Sequence, residues 1–350
     1  MKSLVGKTKI WFSGQLSNLP HLIIRLTAIA FLYSHIIGYQ QRWKIDEIIS
    51  FITLPNSVYY IFFWIILAIS VYVIIVPKKA HLLVIGMVVL ALLNIQVMTP
   101  FWYNYILLLI FAKIDSSMHL IVWLLGVQEV WAGLGKLNGN YAGTISFFAE
   151  PFKSNPVVYK MVIIITLLVP LFEIMIGFGI LFKKSFTRYL TLLVHGGAII
   201  ILAGFIHYGS IVWIWNLLIV LLVWLLYSQN ISASISLSKR NLGIVAVLIF
   251  IPLLQIVTTI TYPMSYRMYT GNEIQLTIDG KSYLNSYYKK TKSIAFLSTE
   301  VFQVLLKRKC LASEFTHATI TVPKFLLRER KSISYVCFNN NLSMISNPVR

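Results

Sequence analysis

Charged side chains are scarce in this chain, and acidic ones are the scarcest. Only 12% of its 350 residues are charged, and 11 Asp and Glu stand against 30 Lys and Arg, which gives a net charge of +19. Hydrophobic residues make up 58% and the mean hydropathy is +0.77, a composition that excludes an ordinary water-soluble domain of this length. Apolar runs of roughly 20 residues, the length that crosses a bilayer, recur through the first three quarters of the chain.

Other absences narrow the class of function. The basic charge comes without any helix-turn-helix, zinc-finger or single-strand-binding pattern, and it clusters beside apolar runs. We therefore expect it to orient the chain and to attract anionic lipid, with no nucleic-acid partner. The sequence has no cluster at metal-ligand spacing, no GxSxG elbow, no phosphate-cradling glycine loop and no inverted repeat, so we expect no metal site or nucleotide-driven pump. A small-solute transporter is the least favoured class.

Hydropathy predicts an all-α polytopic membrane bundle of eight to nine helices. The apolar segments lie at 22–39, 58–76, 80–98, 101–113, 117–135, 157–182, 188–206, 210–227 and 243–261. Only Thr99-Pro100 separates the short fourth segment from the third, so one long bent helix and a short hairpin both remain open. The hairpin is favoured because it keeps the basic loops on the same side as the Lys-rich N-terminus, in the cytoplasm. Nine crossings then leave the C-terminus outside.

Three regions follow from this topology. Residues 1–21 are predicted to be a cytoplasmic amphipathic N-terminus, 22–262 the transmembrane domain, and 263–350 a small basic extracytoplasmic α+β domain. The first apolar segment ends without a cleavage site, which indicates a signal anchor in the cell (inner or plasma) membrane.

In the tail, alternating residues predict strands at 274–278, 319–322 and 333–336. Asp279-Gly280 predicts a turn, and 299–307 predicts a helix. Cys310 and Cys337, the two cysteines of the chain, are free to pair in an oxidising exterior, although the sequence does not decide that they do.

Ionisable residues inside spans are costly, so each is a functional candidate unless a partner or snorkelling explains it. The densest group runs from Gln128 to Lys136, where Gln128 shares a helical face with Lys136 and Glu129 lies nearly on that face. A partly buried lysine can serve as a base, while the plainer interpretation is a lysine that snorkels from a helix end.

Further along the chain lie three more candidates. The aromatic stretch from Gly139 to Phe152 is too short in apolar residues to cross and fits a re-entrant or interfacial lid. Glu173 lies mid-span before Gly177 and Gly179, which permit close helix contact, and it needs a partner. His195, also mid-span, is either an interhelical hydrogen-bonding residue or a proton-transfer group.

The order of these features resembles a known family. Arg25 in the first helix, Asn104-Tyr105 before a short apolar run, the stretch Trp131-Ala132-Gly133-Leu134-Gly135-Lys136-Leu137-Asn138, Glu173, Arg188 and His195 resemble the HTTM family, the bacterial membrane module related to the vitamin K-dependent gamma-carboxylase. The resemblance covers roughly residues 10 to 265. In size and in its short tail, the chain is most similar to the B component of the sporulation-delaying-protein toxin systems.

The resemblance implies roles for individual residues. Lys136 corresponds by motif position to the lysine that deprotonates vitamin K hydroquinone in the carboxylase, and His195 falls where the carboxylase-like group has an intramembrane histidine. The implied catalytic set is Lys136, His195 and Glu173, with a substrate or cofactor pocket at Gln128, Glu129, Trp131, Asn104, Tyr105 and Arg25. The cofactor is unknown, and the family implies a quinone-like lipid cofactor. The carboxylase has a His where this chain has Tyr103, and its long lumenal domain has no equivalent here, which argues against literal glutamate carboxylation.

Two functions remain open. The first is maturation or production of a secreted antimicrobial or toxin peptide by lysine-based, quinone-linked chemistry, with a small accessory protein from the same operon as a further expected partner. The second is a non-catalytic export or immunity partner that binds a peptide through its basic tail. From Pro263 onward, 13 basic residues stand against 5 acidic ones, a net charge of +8, and such a surface attracts acidic peptides or lipid head groups.

Overall fold

The chain is described here from a computed structural model, which covers residues 18–38, 56–93, 100–114, 118–137, 141–206, 210–231, 238–254, 275–282, 299–323 and 330–345. Helices dominate up to residue 254. They are α1 Leu19–Gly38, α2 Asn56–Ile75, α3 Ala80–Leu93, α4 Pro100–Ile114, α5 His119–Lys136, α6 Tyr141–Ala149, α7 Pro156–Leu181, α9 Ser210–Ser228 and α10 Lys239–Leu254. Between α7 and α9, α8 joins two α-helical stretches, Thr187–Thr191 and Gly197–Ile199, to two π-helical ones, Leu192–Gly196 and Ile200–Ile206.

The structure is mostly helical and has apolar helices compatible with a membrane protein, as hydropathy predicts, but the predicted number of spans is not supported. Among the residues described, four helices are long and apolar enough to cross a membrane: Leu19–Ile37, Ser57–Ile75, Pro156–Leu181 and Thr187–Phe205. The helices α3, α4 and α10 have 14, 15 and 16 residues, fewer than the roughly 20 that a crossing needs. The predicted segments 80–98 and 243–261 continue past the described residues, as does the turn between α3 and α4.

The core of the helical region forms around α1, which packs against α2, α4 and α9. These helices are apolar on most of their circumference, so they bury one side against each other and expose apolar side chains on the other. Polar groups within this core bond to backbone. His35 Nε2 lies 3.1 Å from the carbonyl oxygen of Phe63, and Arg25 Nε donates to the carbonyl oxygen of Ile74 at 3.0 Å, near the end of α2. Both contacts join α1 to α2 and are structural.

Close contact between α5 and α7 is the feature that positions the site. A Cβ atom added at Gly133 would lie 2.4 Å from the carbonyl oxygen of Pro170, and one at Gly177 would lie 2.5 Å from that of Gly126. Only residues without a side chain fit here, so the two backbones touch. At the start of α7, Asn155 caps the helix by accepting a hydrogen bond from Val158 N–H at 3.2 Å.

The tail forms an antiparallel sheet with one helix, α11 Thr299–Leu311. Its strands are β1 Gln275–Ile278, β2 Lys281–Ser282, β3 His317–Pro323, β4 Arg330–Phe338 and β5 Asn341–Ile345, in the order β2-β1-β3-β4-β5. The predicted helix and three predicted strands are thus present, and β2 and β5 are additional. Phe302, Leu305 and Leu306 of α11 are buried, and Cys310 is joined to Cys337 of β4 by a disulfide.

The predicted turn at Asp279-Gly280 connects β1 to β2. Both residues have positive φ, 44° and 75°, as the two central positions of a type I′ turn require. The backbone N–H of His317 donates to Asp279 Oδ1 at 2.8 Å, and Thr316 donates through its backbone N–H and its hydroxyl. These hydrogen bonds, the one from His317 first, lower the pKa of Asp279 below its usual value because they stabilise the charged carboxylate.

We expect the substitution Gly177→Val to destabilise the helical region, because the new side chain would force α5 and α7 apart. Overpacking of this kind costs about 1–3 kcal/mol. Thermal unfolding of the purified protein in detergent, followed by tryptophan fluorescence, measures the loss. The matched control is Gly243→Ala in α10, where an added Cβ meets no atom within 4 Å. Equal unfolding temperatures for Gly177→Val and the control would contradict the close contact.

Candidate functional site

A buried ion pair joins α5 to α7. Lys136 is the last residue of α5, and its Nζ donates to Glu173 Oε2 at 2.6 Å and to Oε1 at 2.8 Å. Both side chains are buried, and the nearby carbonyl oxygen of Ala132 lies 3.5 Å from Nζ. The lysine therefore does not snorkel away from the bundle. Its carboxylate partner lies 37 residues further along the chain, brought there by the glycine contact between α5 and α7.

A second buried acid–base pair lies beside the first. His195 Nε2 is 3.2 Å from Glu129 Oε2, and His195 Nδ1 is 2.6 Å from Asn216 Oδ1. This chain of contacts links α5, α8 and α9. His195 occupies the π-helical stretch Leu192–Gly196, and π-helical turns within helices are frequent at functional sites because they displace a side chain from its regular position.

The hydrogen bonds of Asn216 fix where the protons of His195 are. Asn216 Nδ2 donates to the carbonyl oxygen of Val212 at 2.8 Å, so the Oδ1 atom faces His195 and must accept a hydrogen bond. His195 Nδ1 therefore carries a hydrogen. The remaining contact, between Nε2 and the Glu129 carboxyl, also needs a hydrogen, since two lone pairs would repel. The pair thus holds one transferable proton, on either the imidazole or the carboxyl group.

Both pairs line one cavity of about 540 Å³. Its wall is mostly apolar and includes the aromatic side chains of Phe101, Phe148, Phe172 and Trp215. Asn104 and Gln128 also line it, and the side-chain oxygen of each is buried with no hydrogen-bond partner among the described residues. An apolar cavity with a few convergent polar groups is the usual form of a small-molecule site.

The predicted lid covers part of this cavity. It consists of α6 and the short 3₁₀ turn Glu150–Phe152, and α6 packs on α7. Pro170 has no N–H, so the carbonyl oxygen of Thr166, one turn earlier in α7, loses its usual donor. The Tyr141 hydroxyl takes that place and donates to this oxygen at 3.0 Å. Tyr141, Phe148 and Thr166 all line the cavity.

The structure brings together most, but not all, of the residues proposed from the sequence. Lys136, Glu173, His195, Gln128, Glu129 and Asn104 line the cavity. Arg25, Trp131 and Tyr105 lie outside its lining. Tyr105 is fully buried behind the wall, where its hydroxyl lies 3.1 Å from Ser34 Oγ and its ring meets Trp215 edge-on. Gln128 does not orient Lys136, since its side-chain oxygen has no partner in the described part of the chain.

Sequence reasoning gave no role to Asn216, the residue that fixes the His195 tautomer. A signal was present, because Asn216 is a lone amide in the apolar run of α9, and a polar group inside a span needs a partner. Across the described ranges, no group of three or more His, Cys, Asp or Glu residues could hold a metal ion.

Comparisons with known proteins do not assign this chain to a family. No protein-family model, no curated protein and no solved structure matches this chain. The resemblance to the HTTM family therefore remains a prediction based on its motifs.

Removing one partner of the Lys136–Glu173 pair should destabilise the protein more than removing both. Lys136→Met leaves a buried carboxylate without its cation, which costs about 3 kcal/mol or more, whereas Lys136→Met with Glu173→Gln removes both charges. Thermal unfolding in detergent measures both variants. Lys153→Met is the control, because its pair with Glu150 is exposed and contributes less than about 1 kcal/mol. A double variant less stable than Lys136→Met would contradict a buried pair.

Asn216→Leu should change the tautomer of His195. Without an acceptor at Nδ1, the ring is expected to lose that hydrogen and to carry its hydrogen on Nε2, where it donates to Glu129. Nitrogen NMR of protein labelled in its histidine rings distinguishes the two states, and His195→Gln assigns the signal. Asn241→Leu in α10 is the control. Unchanged ring-nitrogen signals in Asn216→Leu would show that Asn216 does not hold the tautomer.

Proposed function

We propose that this chain is an HTTM-type integral membrane protein required for the maturation or production of a secreted antimicrobial or toxin peptide, and that Lys136 acts in it as a base. The observation that carries the proposal is the burial of two acid–base pairs, Lys136–Glu173 and Glu129–His195, in one apolar cavity. Ionisable groups are expensive in a membrane interior. Two pairs in a single cavity favour proton transfer over a purely structural role.

The pairing with Glu173 makes Lys136 able to act as a base. An ammonium group cannot accept a proton, but in apolar surroundings a charged pair gains little over the neutral amine and carboxylic acid that form when the proton moves to Glu173. The neutral amine can then take a proton from a bound molecule. That step leaves the ammonium beside the anion of the bound molecule while Glu173 keeps the first proton as a carboxylic acid, and the Glu129–His195 pair can give or take a second proton.

A quinone-like cofactor, implied by the family resemblance, fits the residues of the cavity. The rings and the chain of such a cofactor match the aromatic and aliphatic side chains of the wall, which also carries polar side chains that can bond to its oxygen atoms. When bound, such a group would supply an acidic hydroxyl and a redox couple. Phe101, Phe172 and Trp215 would hold it, and Lys136 would accept a proton from it.

The topology that we propose has nine crossings, with the N-terminus in the cytoplasm and the tail outside. It counts the shorter helices as crossings because this arrangement keeps the basic loops on one side of the membrane. The disulfide in the tail supports an oxidising exterior. Lys136 and the lid then face the outer side, where a secreted peptide passes.

The alternative is a non-catalytic export or immunity partner that binds a peptide through the tail. It is favoured by one observation: Leu311, Phe338 and Met344 are large apolar side chains that are exposed on the tail, in a region with a net charge of +8. Apolar contacts and positive charge together suit an acidic, partly apolar peptide.

Lys136→Ala should abolish production of the mature peptide, with a loss of about 100-fold or more, as expected when a general base is removed. Cells that lack the chain are complemented with each variant, and mass spectrometry of the culture medium measures the mature secreted peptide. Lys113→Ala, an exposed lysine that contacts His81, is the control.

The alternative function gives the opposite pattern of results. Reversal of the exposed charges at Lys281 and Lys307 to Glu would abolish peptide production, while Lys136→Ala at a normal level in the membrane would leave it unchanged. That pair of results would reject the catalytic proposal.

A further inference from the structure

The cavity reaches the outer surface of the bundle between α7 and α8. Four aliphatic side chains line it and are also exposed on the outer surface: Ile165 and Leu168 on α7, at 53% and 36%, and Leu193 and Ile200 on α8, at 64% and 63%. We call these four residues the mouth. Both helices belong to the four that can span a membrane, so the mouth faces hydrocarbon and not water.

The two amides of the cavity show what a ligand must offer. The side chains of Asn104 and Gln128 are only 1% and 5% exposed, and the Oδ1 and Oε1 atoms have no donor among the described residues. An amide oxygen can only accept hydrogen bonds. A buried acceptor without a donor is unfavourable, so a molecule that carries hydroxyl or N–H groups gains affinity here over one that carries only acceptors.

The size of the cavity and the position of the mouth both suit a ligand that is dissolved in the bilayer. A cavity of about 540 Å³ is the size of sites that bind drug-sized molecules. A molecule that reaches it through a hydrocarbon-facing opening must dissolve in the bilayer. The wall of α8 along this path includes Gly197 and Ala198, small residues that leave room beside the π-helical turn that carries His195.

We propose that the cavity takes its ligand from the bilayer, through the mouth between α7 and α8, and that the ligand is an apolar molecule whose hydroxyl or N–H groups donate to Asn104 and Gln128. This inference concerns the same cavity as the proposed function, and it rests on the proposed function only in the choice of that cavity. It assigns the source and the hydrogen-bonding class of the ligand, whatever chemistry follows.

Photolabelling with two matched probes tests the proposal. The probes are a long-chain fatty alcohol with a diazirine in its chain and the methyl ether of the same alcohol, each added to the full-length protein in lipid nanodiscs. Mass spectrometry of peptides locates the labelled residues. We expect Trp215, which lines the cavity, to be labelled well above Trp102, a buried indole outside the lining. The alcohol should label Trp215 about fivefold more than the ether, since only the alcohol donates a hydrogen bond.

Variants separate the path from the binding groups. Ile165→Trp with Ile200→Trp should reduce labelling of Trp215 by both probes several-fold, whereas Ile85→Trp, on the exposed face of α3, should not. Asn104→Leu with Gln128→Leu should remove the preference for the alcohol. The comparison of the two probes in the unsubstituted protein tests the same preference without any risk of misfolding.

Three results would overturn the inference: equal labelling of Trp215 and Trp102, equal labelling of Trp215 by the two probes, or labelling of Trp215 that the mouth variants leave unchanged. The proposed function fails separately. If Lys136→Ala left peptide production intact while Trp215 kept its preferential labelling, the acid–base proposal would be lost and the side-opening site would stand.

Discussion

The site depends on the contact between the backbones of α5 and α7. Gly133 and Gly177 leave no space for a Cβ atom at the crossing, and this close approach is what allows Lys136 at the end of one helix to reach Glu173 in the other. In a bilayer, helices gain nothing from burying apolar surface against each other, so such packing between small residues and interhelical polar contacts must hold them together. The glycines supply the first and the ion pair the second. Loss of either weakens both.

The arrangement of charges follows from helix geometry more than from sequence proximity. Glu129 and Lys136 lie almost on one face of α5, but seven residues of helix separate them by about 10 Å along the axis, too far for a direct contact. Each therefore pairs with another helix: Lys136 with α7 and Glu129 with α8. Buried ion pairs are weak contributors to stability, because desolvation offsets much of their attraction. Two such pairs in one cavity specify how α5, α7 and α8 are placed relative to one another.

Much of the fold and several residues of the site could be predicted from the sequence, and there are physical reasons why the remaining features could not. The cost of polar groups in a membrane identified Lys136, Glu173 and His195, and alternation predicted β3 and β4 of the tail. The choice of partners was out of reach, because it depends on the rotation of each helix about its axis, which the neighbours determine. Arg25 was assigned to the pocket by motif order, yet it bonds to the backbone of α2. The predicted span count is not supported, because among the described residues four helices are long and apolar enough to cross a membrane, and the predicted segments 80–98 and 243–261 continue past those residues.

The lid and the mouth give the cavity two different boundaries, and together they define the environment in which a base at Lys136 would act. On the lid side, Tyr141 is anchored to the carbonyl oxygen that Pro170 leaves free, so the aromatic cover is held in place by a hydrogen bond that the proline itself makes available. On the mouth side, aliphatic side chains line the cavity and are also exposed on the outer surface. In the arrangement that we propose, this opening faces hydrocarbon, so water has no favourable path from that side. Electrostatic interactions strengthen as water is excluded. The charges and hydrogen-bonding groups of a bound apolar molecule would therefore strongly change how readily a proton moves between Lys136 and Glu173.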